Sequence, residues 1–297
     1  MDRCNFALLP NRVVIALKGP DAMNFLQGLI TNNMDKTAAG GAIHSGLLSP
    51  QGKLLFDFFV IPVDEGYLLE LDKTSASDLT KRLSFYKLRA QVEITYPVDH
   101  SAVAAIWGEP IAQPKGLRSF RDPRLPELGY RAICAHTDAA ALAAELGCRL
   151  ASEDDYHAHR IALGVPEGGQ DYAFGALFPH EACFDLLHGV DFEKGCYVGQ
   201  EVVSRMEHRG TARKRFVHVE STSPLPESGT DITAGDNLIG VLGSISDRRG
   251  LALVRLDRAA RALAEGQRLI AGEAELKLIQ PSWGKFDLPS QGQTHSQ

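Results

Sequence analysis

A change in hydrophobic pattern at about residue 211 constrains the fold more than any other feature of the sequence. Beyond this point, short runs of strand-forming residues are separated by turn residues: RFVHVE, NLIGVLGSIS, GLALVRL and ELKLI. Runs of this length and spacing are typical of a small β-barrel or sandwich. The final stretch, DLPSQGQTHSQ (287–297), is polar, so we expect a disordered tail there.

The first 95 residues carry a mixed pattern of strands and helices. RVVIAL (12–17) favours a strand, and the segment 21–30 places apolar residues at helical spacing. The apolar runs on either side of Pro50-Gln51-Gly52 favour a hairpin, YLLEL (67–71) favours its next strand, and 75–88 favours an amphipathic helix. This order predicts an α+β fold in which helices cover an antiparallel sheet.

The composition argues against several classes of protein. The 297 residues carry a net charge of −6, which argues against a general nucleic-acid binder. No apolar run reaches the length of a membrane span, so we expect no membrane partner. The five cysteines are Cys4, Cys134, Cys148, Cys183 and Cys196, and they include no CxxC pair. We therefore expect no disulfide framework and predict a reducing, cytoplasmic environment.

The most unusual stretch is KGCYVGQE (194–201), which contains few apolar side chains. A thiol becomes a nucleophile or a metal ligand as a thiolate, a form that neighbouring cations and exposed loops favour. Lys194 lies two residues from Cys196, and Gly195 and Gly199 permit positive φ or close approach to a ligand. The alternative is that Cys196 packs as a small buried side chain in a tight turn. On composition alone the packing hypothesis is favoured, because a free cysteine usually packs as a small apolar side chain.

A metal site is a further interpretation of the same region. Four residues of zinc-binding type are candidates: His180, Cys183, His188 and Cys196. Their spacing matches no compact zinc pattern. A single reactive thiol at Cys196 is the simpler hypothesis.

Two arginine-rich stretches are also open to two interpretations. RMEHRGTARKR (205–215) is either a solvated face or a surface for an anionic partner or ligand, such as the carboxylate tail of a folate. LRSFRDPRLPELGYR (117–131) places four arginines around Asp122 and favours a loop ordered by ion pairs over a catalytic loop.

Several segments together resemble the folate-binding YgfZ family. That family is similar in fold to the T-protein of the glycine cleavage system and includes mitochondrial iron–sulfur assembly factors. The matching segments follow the family's order and cover about residues 8 to 280: RVVIALKGPDAMNFLQGLITNN, GLLSPQGKLLFDFFV, FYKLRAQVEI, DPRLPELGYR, RIALGVPEGGQD and FPHEACFDLLHGVDFEKGCYVGQEVVSRMEHRG.

The resemblance implies a GcvT-like α+β fold. Antiparallel sheets and helices would form a ring around a folate-sized opening, with a small C-terminal β-barrel over 209–286. The GcvT-like region would span 1–208, with one part formed by about 1–95 plus 150–208 and another by 96–149.

The resemblance also implies binding of tetrahydrofolate or a folate derivative and a role in assembling or repairing iron–sulfur clusters. The clients would be [4Fe–4S] enzymes, among them tRNA-methylthiolating enzymes, without direct contact with nucleic acid. An A-type iron–sulfur carrier would be the partner, in a bacterial cytoplasm. We expect no independent turnover.

In this resemblance Cys196 is the functional residue and a candidate shared ligand of a transient cluster, because one cysteine cannot supply the four ligands that clusters normally need. Lys194 and nearby arginines would stabilise its thiolate. The remaining residues that match the motif are Gly195, Tyr197, Gly199, Gln200 and Glu201.

The candidate folate contacts are Arg12, Gln27, Asn32, Asp57, His159, Arg160, Gln200 and Arg205. The T-protein carries a double aspartate where this chain has Phe56-Asp57, and a glutamate where it has Ala162. Both departures argue against aminomethyl transfer, which needs an acid near the folate nitrogens. Two alternatives remain: a folate-dependent one-carbon transferase or demethylase with Asp57 as general base, and a folate-binding module without thiol chemistry.

Overall fold

The computed structural model describes residues 4–38, 40–98, 101–108, 113–114, 117–135, 139–210 and 212–289. The strands of this part of the chain are, in order, β1 (Cys4–Leu8), β2 (Arg12–Lys18), β3 (Ile43–Leu48), β4 (Leu54–Val63), β5 (Gly66–Asp72), β6 (Glu93–Thr95), β7 (Ser101–Gly108), β8 (Arg118–Arg121), β9 (Tyr130–Ala135), β10 (Arg149–Leu150), β11 (Lys214–Glu220), β12 (Asp231–Ala234), β13 (Asn237–Ser246), β14 (Arg249–Arg255), β15 (Leu269–Ala271) and β16 (Ala274–Ile279).

The helices of the same part are α1 (Ala22–Gln27), α2 (Ala76–Lys87), α3 (Ala139–Glu145), α4 (Glu153–Ala162), α5 (Gln200–Arg209) and α6 (Leu256–Ala264), with short 3-10 turns at Met34–Thr37 and Pro126–Leu128. None of the helices in these ranges has the length and hydrophobicity needed to cross a membrane. Most of the predicted tail, residues 290–297, lies outside the described residues.

The first sheet has the strand order β3-β4-β5-β2-β6 and is antiparallel throughout. Its core combines sheet residues such as Ile15 and Leu69 with Leu26 of α1 and Leu79 and Leu83 of α2. The predicted hairpin and second helix are confirmed. The predicted helix 21–30 ends earlier, because Gly28 caps α1 and Ile30 already bridges to Leu47.

The second sheet has the order β10-β1-β7-β9-β8. The N-terminal strand β1 therefore belongs to this sheet, whereas the predicted division assigned residues 1–95 to the other part; the division itself stays a prediction. Cys4 and Cys148 form a disulfide between β1 and the residue before β10. The expectation that the cysteines stay unpaired is wrong for these two, which are 144 residues apart in sequence.

The third sheet is a closed barrel in the order β11-β14-β13-β12-β15-β16. This sheet confirms the change to short strands predicted near residue 211. Of the two predicted alternatives, barrel and sandwich, the structure shows the barrel. The register of β13 against β14 shifts between Leu242 and Ile245, where Gly243 lies; a glycine within a strand often marks such a bulge.

Residues 163–199 form a long connection between α4 and α5, without a regular helix or strand in this fully described stretch. They cover the outer strand β3, so that all six of its residues are buried. His44 of β3 lies between Phe59 and Phe184, with ring centroids 5.4 Å and 4.4 Å away. Burial, reinforced by the positive charge of Arg124, lowers the pKa of His44 to about 3.

This burial predicts an acid-sensitive fold. Between pH 6.5 and 3 the unfolded chain binds a proton at His44 that the folded chain does not. The free energy of unfolding therefore falls as the pH drops through this window, and His44 contributes up to about 1.4 kcal/mol per pH unit to the fall. Above pH 6.5 the protonation of His44 no longer changes the stability. We expect His44→Phe to reduce the slope of unfolding free energy against pH in urea titrations between pH 6.5 and 4. Equal slopes for the two proteins would contradict this assignment.

Candidate functional site

The motif 194–201 joins the long connection to helix α5. Tyr197 is buried in an apolar cluster with Leu48, Leu54 and Val203, and Val198 packs against the core of the first sheet. Cys196, between Gly195 and Tyr197, is exposed. Residues 191–197, called the thiol loop below, are thus held at one end by a buried aromatic ring while the thiol faces solvent.

Asp191 fixes the other end of the thiol loop. Its Oδ1 accepts hydrogen bonds from the backbone N–H groups of Glu193 (2.8 Å) and Lys194 (3.1 Å), and its Oδ2 lies 2.9 Å from Nζ of Lys36. Burial opposes the ionised form, but these hydrogen bonds prevail and lower the pKa of Asp191. The backbone N–H of Asp191 also donates to the carbonyl of Thr31 at 3.0 Å.

Lys194 fixes the middle of the thiol loop. Its side chain is only 6% exposed, and its Nζ donates to three backbone carbonyls, those of Gln27 (2.8 Å), Ile30 (2.7 Å) and Asn32 (2.8 Å). Burial lowers the pKa of Lys194 to about 8, so the ammonium form still prevails at neutral pH. The carbonyls belong to the last residue of α1 and the turn after it, where a cation is favourable.

These contacts leave no hydrogen bond from Lys194 for the Cys196 thiolate, and its predicted role in stabilising that thiolate stays a prediction. An ammonium group has three protons to donate, and all three are used by the carbonyls of residues 27–32. None remains for the Cys196 thiolate. Lys194 holds the loop to α1 and so positions the cysteine.

The two motif glycines differ in their role. Gly199 has φ of +80°, precedes α5, and a Cβ there would lie 2.6 Å from the carbonyl oxygen of Ser49. Its positive φ is as predicted, and the lack of a Cβ also allows the start of α5 to approach the β3–β4 turn. Gly195 has no positive φ, and a Cβ there would meet no protein atom within 4 Å. The predicted positive φ is wrong for Gly195, and close approach to a ligand stays a prediction.

Cys196 is the one exposed thiol of this chain, all five of whose cysteines lie in the described part. Cys4 and Cys148 are paired, and Cys134 and Cys183 are buried. Burial raises the pKa of Cys134 and raises that of Cys183 to about 12. The hypothesis that Cys196 packs in the interior is wrong.

The predicted zinc tetrad does not assemble. Cys183 is sealed in the core, where its Sγ lies 3.7 Å from the carbonyl oxygen of Phe216. The trio of metal-binding type found among the described residues is instead His180, Asp185 and Glu207. Both oxygens of Asp185 already bond to Arg215 at 2.7 Å, so an ion pair with arginine occupies this position.

Helix α5 carries the remaining motif residues. Gln200 begins the helix and is half-buried, and Glu201 and Arg205 form an exposed ion pair at 2.6 Å on one face. The basic run 205–215 is divided: Arg205, His208, Arg209 and Arg213 are exposed, whereas Arg215 is buried against Asp185. The exposed part remains open to an anionic partner.

Two of the predicted folate contacts, Arg12 and Arg160, lie in a buried ion-pair network. Its members are Arg12, Glu70, Asp122, Arg124, Arg131, Arg160, Glu167 and Asp171. Arg12 pairs with Glu70 and lies 3.4 Å from Glu167. Arg160 pairs with Asp171 at 2.6 Å. The predicted ion-pair loop at 117–131 is confirmed, because Arg124 and Arg131 both bond to Asp122.

Asp57 adjoins this network. It is 6% exposed, and its Oδ2 accepts from the hydroxyl of Tyr172 (2.7 Å) and the N–H of Gly168 (3.3 Å). Burial raises the pKa of Asp57, against the lowering effect of Arg12.

The other predicted contacts are also engaged with protein groups. Gln27 bonds to Asn33 and to the N–H of Met34, and the Asn32 amide donates to the carbonyls of His44 and His188. His159 bonds to the Glu127 carbonyl and stacks on Trp107. Gln27 and Asn32 lie beside the thiol loop through their contacts with Lys194, whereas Arg12, Asp57 and Arg160 lie at the network.

Sequence reasoning missed Asp191 and Lys36, which hold the thiol loop. The signal for Asp191 was present, since aspartate often accepts from the N–H two residues on. Lys36 is 155 residues away from it in sequence, and no local pattern connects the two.

Comparison with known proteins places the chain in a family. Residues 213–286 match the model of the CAF17 C-terminal β-barrel domain. The chain is 33% identical over 273 residues to the human mitochondrial iron–sulfur cluster assembly factor IBA57, covering 83% of this chain and 76% of that protein. The chain belongs to the IBA57 family of iron–sulfur cluster assembly factors.

Two further comparisons define the extent of this likeness. The Neurospora crassa IBA57 homologue is 32% identical over 252 residues, covering 76% of this chain, and the chain spans 57% of that protein's length. The aminomethyltransferase T of the glycine cleavage system from Bartonella henselae superposes with a TM-score of 0.75 at 16% identity, covering 94% of this chain and 85% of that one. This confirms the GcvT-like fold.

The IBA57 relatives also correct the predicted location. The Neurospora, human and Coccidioides immitis proteins are all described as mitochondrial. The prediction of a bacterial cytoplasmic protein is wrong on this comparison.

The contacts of Lys194 predict a large effect on stability. Lys194→Met keeps most of the aliphatic volume but leaves three carbonyls without donors, and we expect a loss of about 3 kcal/mol of unfolding free energy. Urea denaturation measures it. The matched control is Lys81→Met, since Lys81 is exposed on α2 and its loss is expected to change stability by less than about 0.5 kcal/mol. Equal stabilities of the two variants would show that the carbonyl contacts do not hold the loop.

Proposed function

We propose that this protein assists iron–sulfur cluster assembly by offering the Cys196 thiolate as one ligand to a cluster that a partner protein holds. The observation that carries this proposal is the position of Cys196: it is the exposed thiol in a chain whose other cysteines are paired or buried. Membership of the IBA57 family supports the same function.

A partner is required by the number of ligands. Clusters are normally held by four protein ligands, mostly thiolates, and this chain exposes one. The remaining ligands come from the partner, for which an A-type iron–sulfur carrier is our proposal. The Cys196 thiol releases its proton to solvent as its sulfur binds iron.

The fixed geometry of the thiol loop suits this role. Asp191 and Lys194 attach the loop to residues 27–36, and Tyr197 attaches it to the apolar cluster of Leu48 and Leu54. A ligand held in place in advance loses little conformational entropy when it binds. The thiol is therefore placed for a partner to reach without rearrangement of the loop.

We also propose that tetrahydrofolate or a related folate regulates this step and that the clients include tRNA-methylthiolating [4Fe–4S] enzymes. The support is the family resemblance of the sequence. Arg12, Asp57 and Arg160 are already paired with protein groups, so a folate would use groups with solvent access, such as Gln200 and Arg205.

One-carbon transfer by Asp57 is less favoured. A general base needs to reach the proton that it removes, and Asp57 is 6% exposed with Oδ2 bonded to Tyr172 and Gly168.

Cys196→Ser tests the proposed function. We expect that mixing the wild-type protein with an A-type carrier loaded with a [2Fe–2S] cluster changes the visible circular dichroism of the cluster, because one ligand is exchanged. Cys196→Ser should abolish the change, whereas Cys134→Ser, which replaces a buried free thiol, should retain it. Adding tetrahydrofolate should alter the rate of the change if folate regulates it.

Two outcomes would count against these proposals. An unaltered spectral change with Cys196→Ser would show that Cys196 is not a cluster ligand. Identical rates with and without tetrahydrofolate would remove folate from this step and leave the thiol proposal standing.

A further inference from the structure

An exposed aromatic side chain lies in the thiol loop with Cys196. The exposed large apolar side chains of the described residues are Phe85, Leu88, Leu150, Phe192 and Leu238. Phe192 alone among these five belongs to the thiol loop, and it is 39% exposed. Aromatic residues, phenylalanine among them, are enriched in protein–protein interfaces relative to the rest of the surface.

The ring of Phe192 is held in place by the protein itself. Its centroid lies 5.8 Å from that of His180, which is buried and bonds to Glu207 at 3.0 Å. The preceding residue, Asp191, is fixed by Lys36 and by the N–H groups that follow it. Phe192 therefore presents a surface that is ordered before any partner arrives.

The short stretch of chain between Phe192 and Cys196 allows both to lie in one interface. Four residues of chain span at most about 14 Å. A protein–protein interface of standard size covers about 800 Å² on each partner, which is a disc about 16 Å in radius. An interface of this size centred on Cys196 therefore has room for Phe192 as well.

We propose that Phe192 is the apolar anchor on which the cluster-carrying protein docks. This inference rests on the proposed function and names the chemistry of its partner. Glu193, the next residue, is also exposed. The complementary surface is an apolar pocket for the ring, with a cation beside it for the Glu193 carboxylate, at the rim of the partner's cluster.

The test measures binding of a [2Fe–2S]-loaded A-type carrier by biolayer interferometry. We expect Phe192→Ala to raise the Kd by about tenfold or more, as loss of a buried aromatic anchor does. Phe85→Ala is the matched control, since Phe85 is 75% exposed on α2, and we expect a Kd within about twofold of the wild type. Alkylation of Cys196 by iodoacetamide in Phe192→Ala should proceed at the wild-type rate.

Three results would overturn the inference. Wild-type affinity of Phe192→Ala would show that the ring is not an anchor, and an equal loss in Phe85→Ala would show that the effect is not local. A changed alkylation rate would show that Phe192 acts by holding the loop. Cys196→Ser in the spectral assay tests the proposed function separately, because it removes the ligand and leaves Phe192 in place.

Discussion

The ammonium group of Lys194, held by three carbonyls at the end of α1, is the interaction on which the rest of the site depends. It joins the thiol loop to a part of the chain more than 160 residues away. Burying a lysine ammonium group costs free energy unless protein groups accept its hydrogen bonds. Here backbone carbonyls accept all three. The consequence is a loop whose backbone is fixed while its thiol stays in water.

In the buried ion-pair network, the charged side chains of the interior are paired with one another and do not line an open catalytic cavity. Arg12 of β2, Glu70 of β5 and Arg131 of β9 connect the first two sheets, and Arg160 of α4 bonds to Asp171 and to Ser244 of the barrel. Removing one member would leave a charge uncompensated. The chain thus shares a fold with an aminomethyltransferase while its interior charges serve to join the parts of the structure.

The sequence predicted the features that depend on neighbouring residues and missed those that depend on contacts between distant parts of the chain. The β3–β4 hairpin, α2 and the barrel follow from short-range patterns and were predicted. Helix α5 was missed because its N-cap residue is Gly199, which has no side chain to signal a helix start, and because its basic residues suggested only a charged surface. The Cys4–Cys148 disulfide and the contacts of Lys194 join residues more than 140 positions apart, which no local pattern reveals. The exposed thiol was the less favoured of two hypotheses on composition alone, since exposure depends on what covers a loop.

The most direct measurement is the rate at which each thiol of the native, non-reduced protein reacts with a maleimide, mapped by mass spectrometry. The structure predicts fast labelling of Cys196, labelling of Cys134 and Cys183 only after unfolding, and none of Cys4 and Cys148. Native Cys196 reacting as slowly as Cys134 and Cys183 would contradict the account, because the thiol would then be out of reach of any partner.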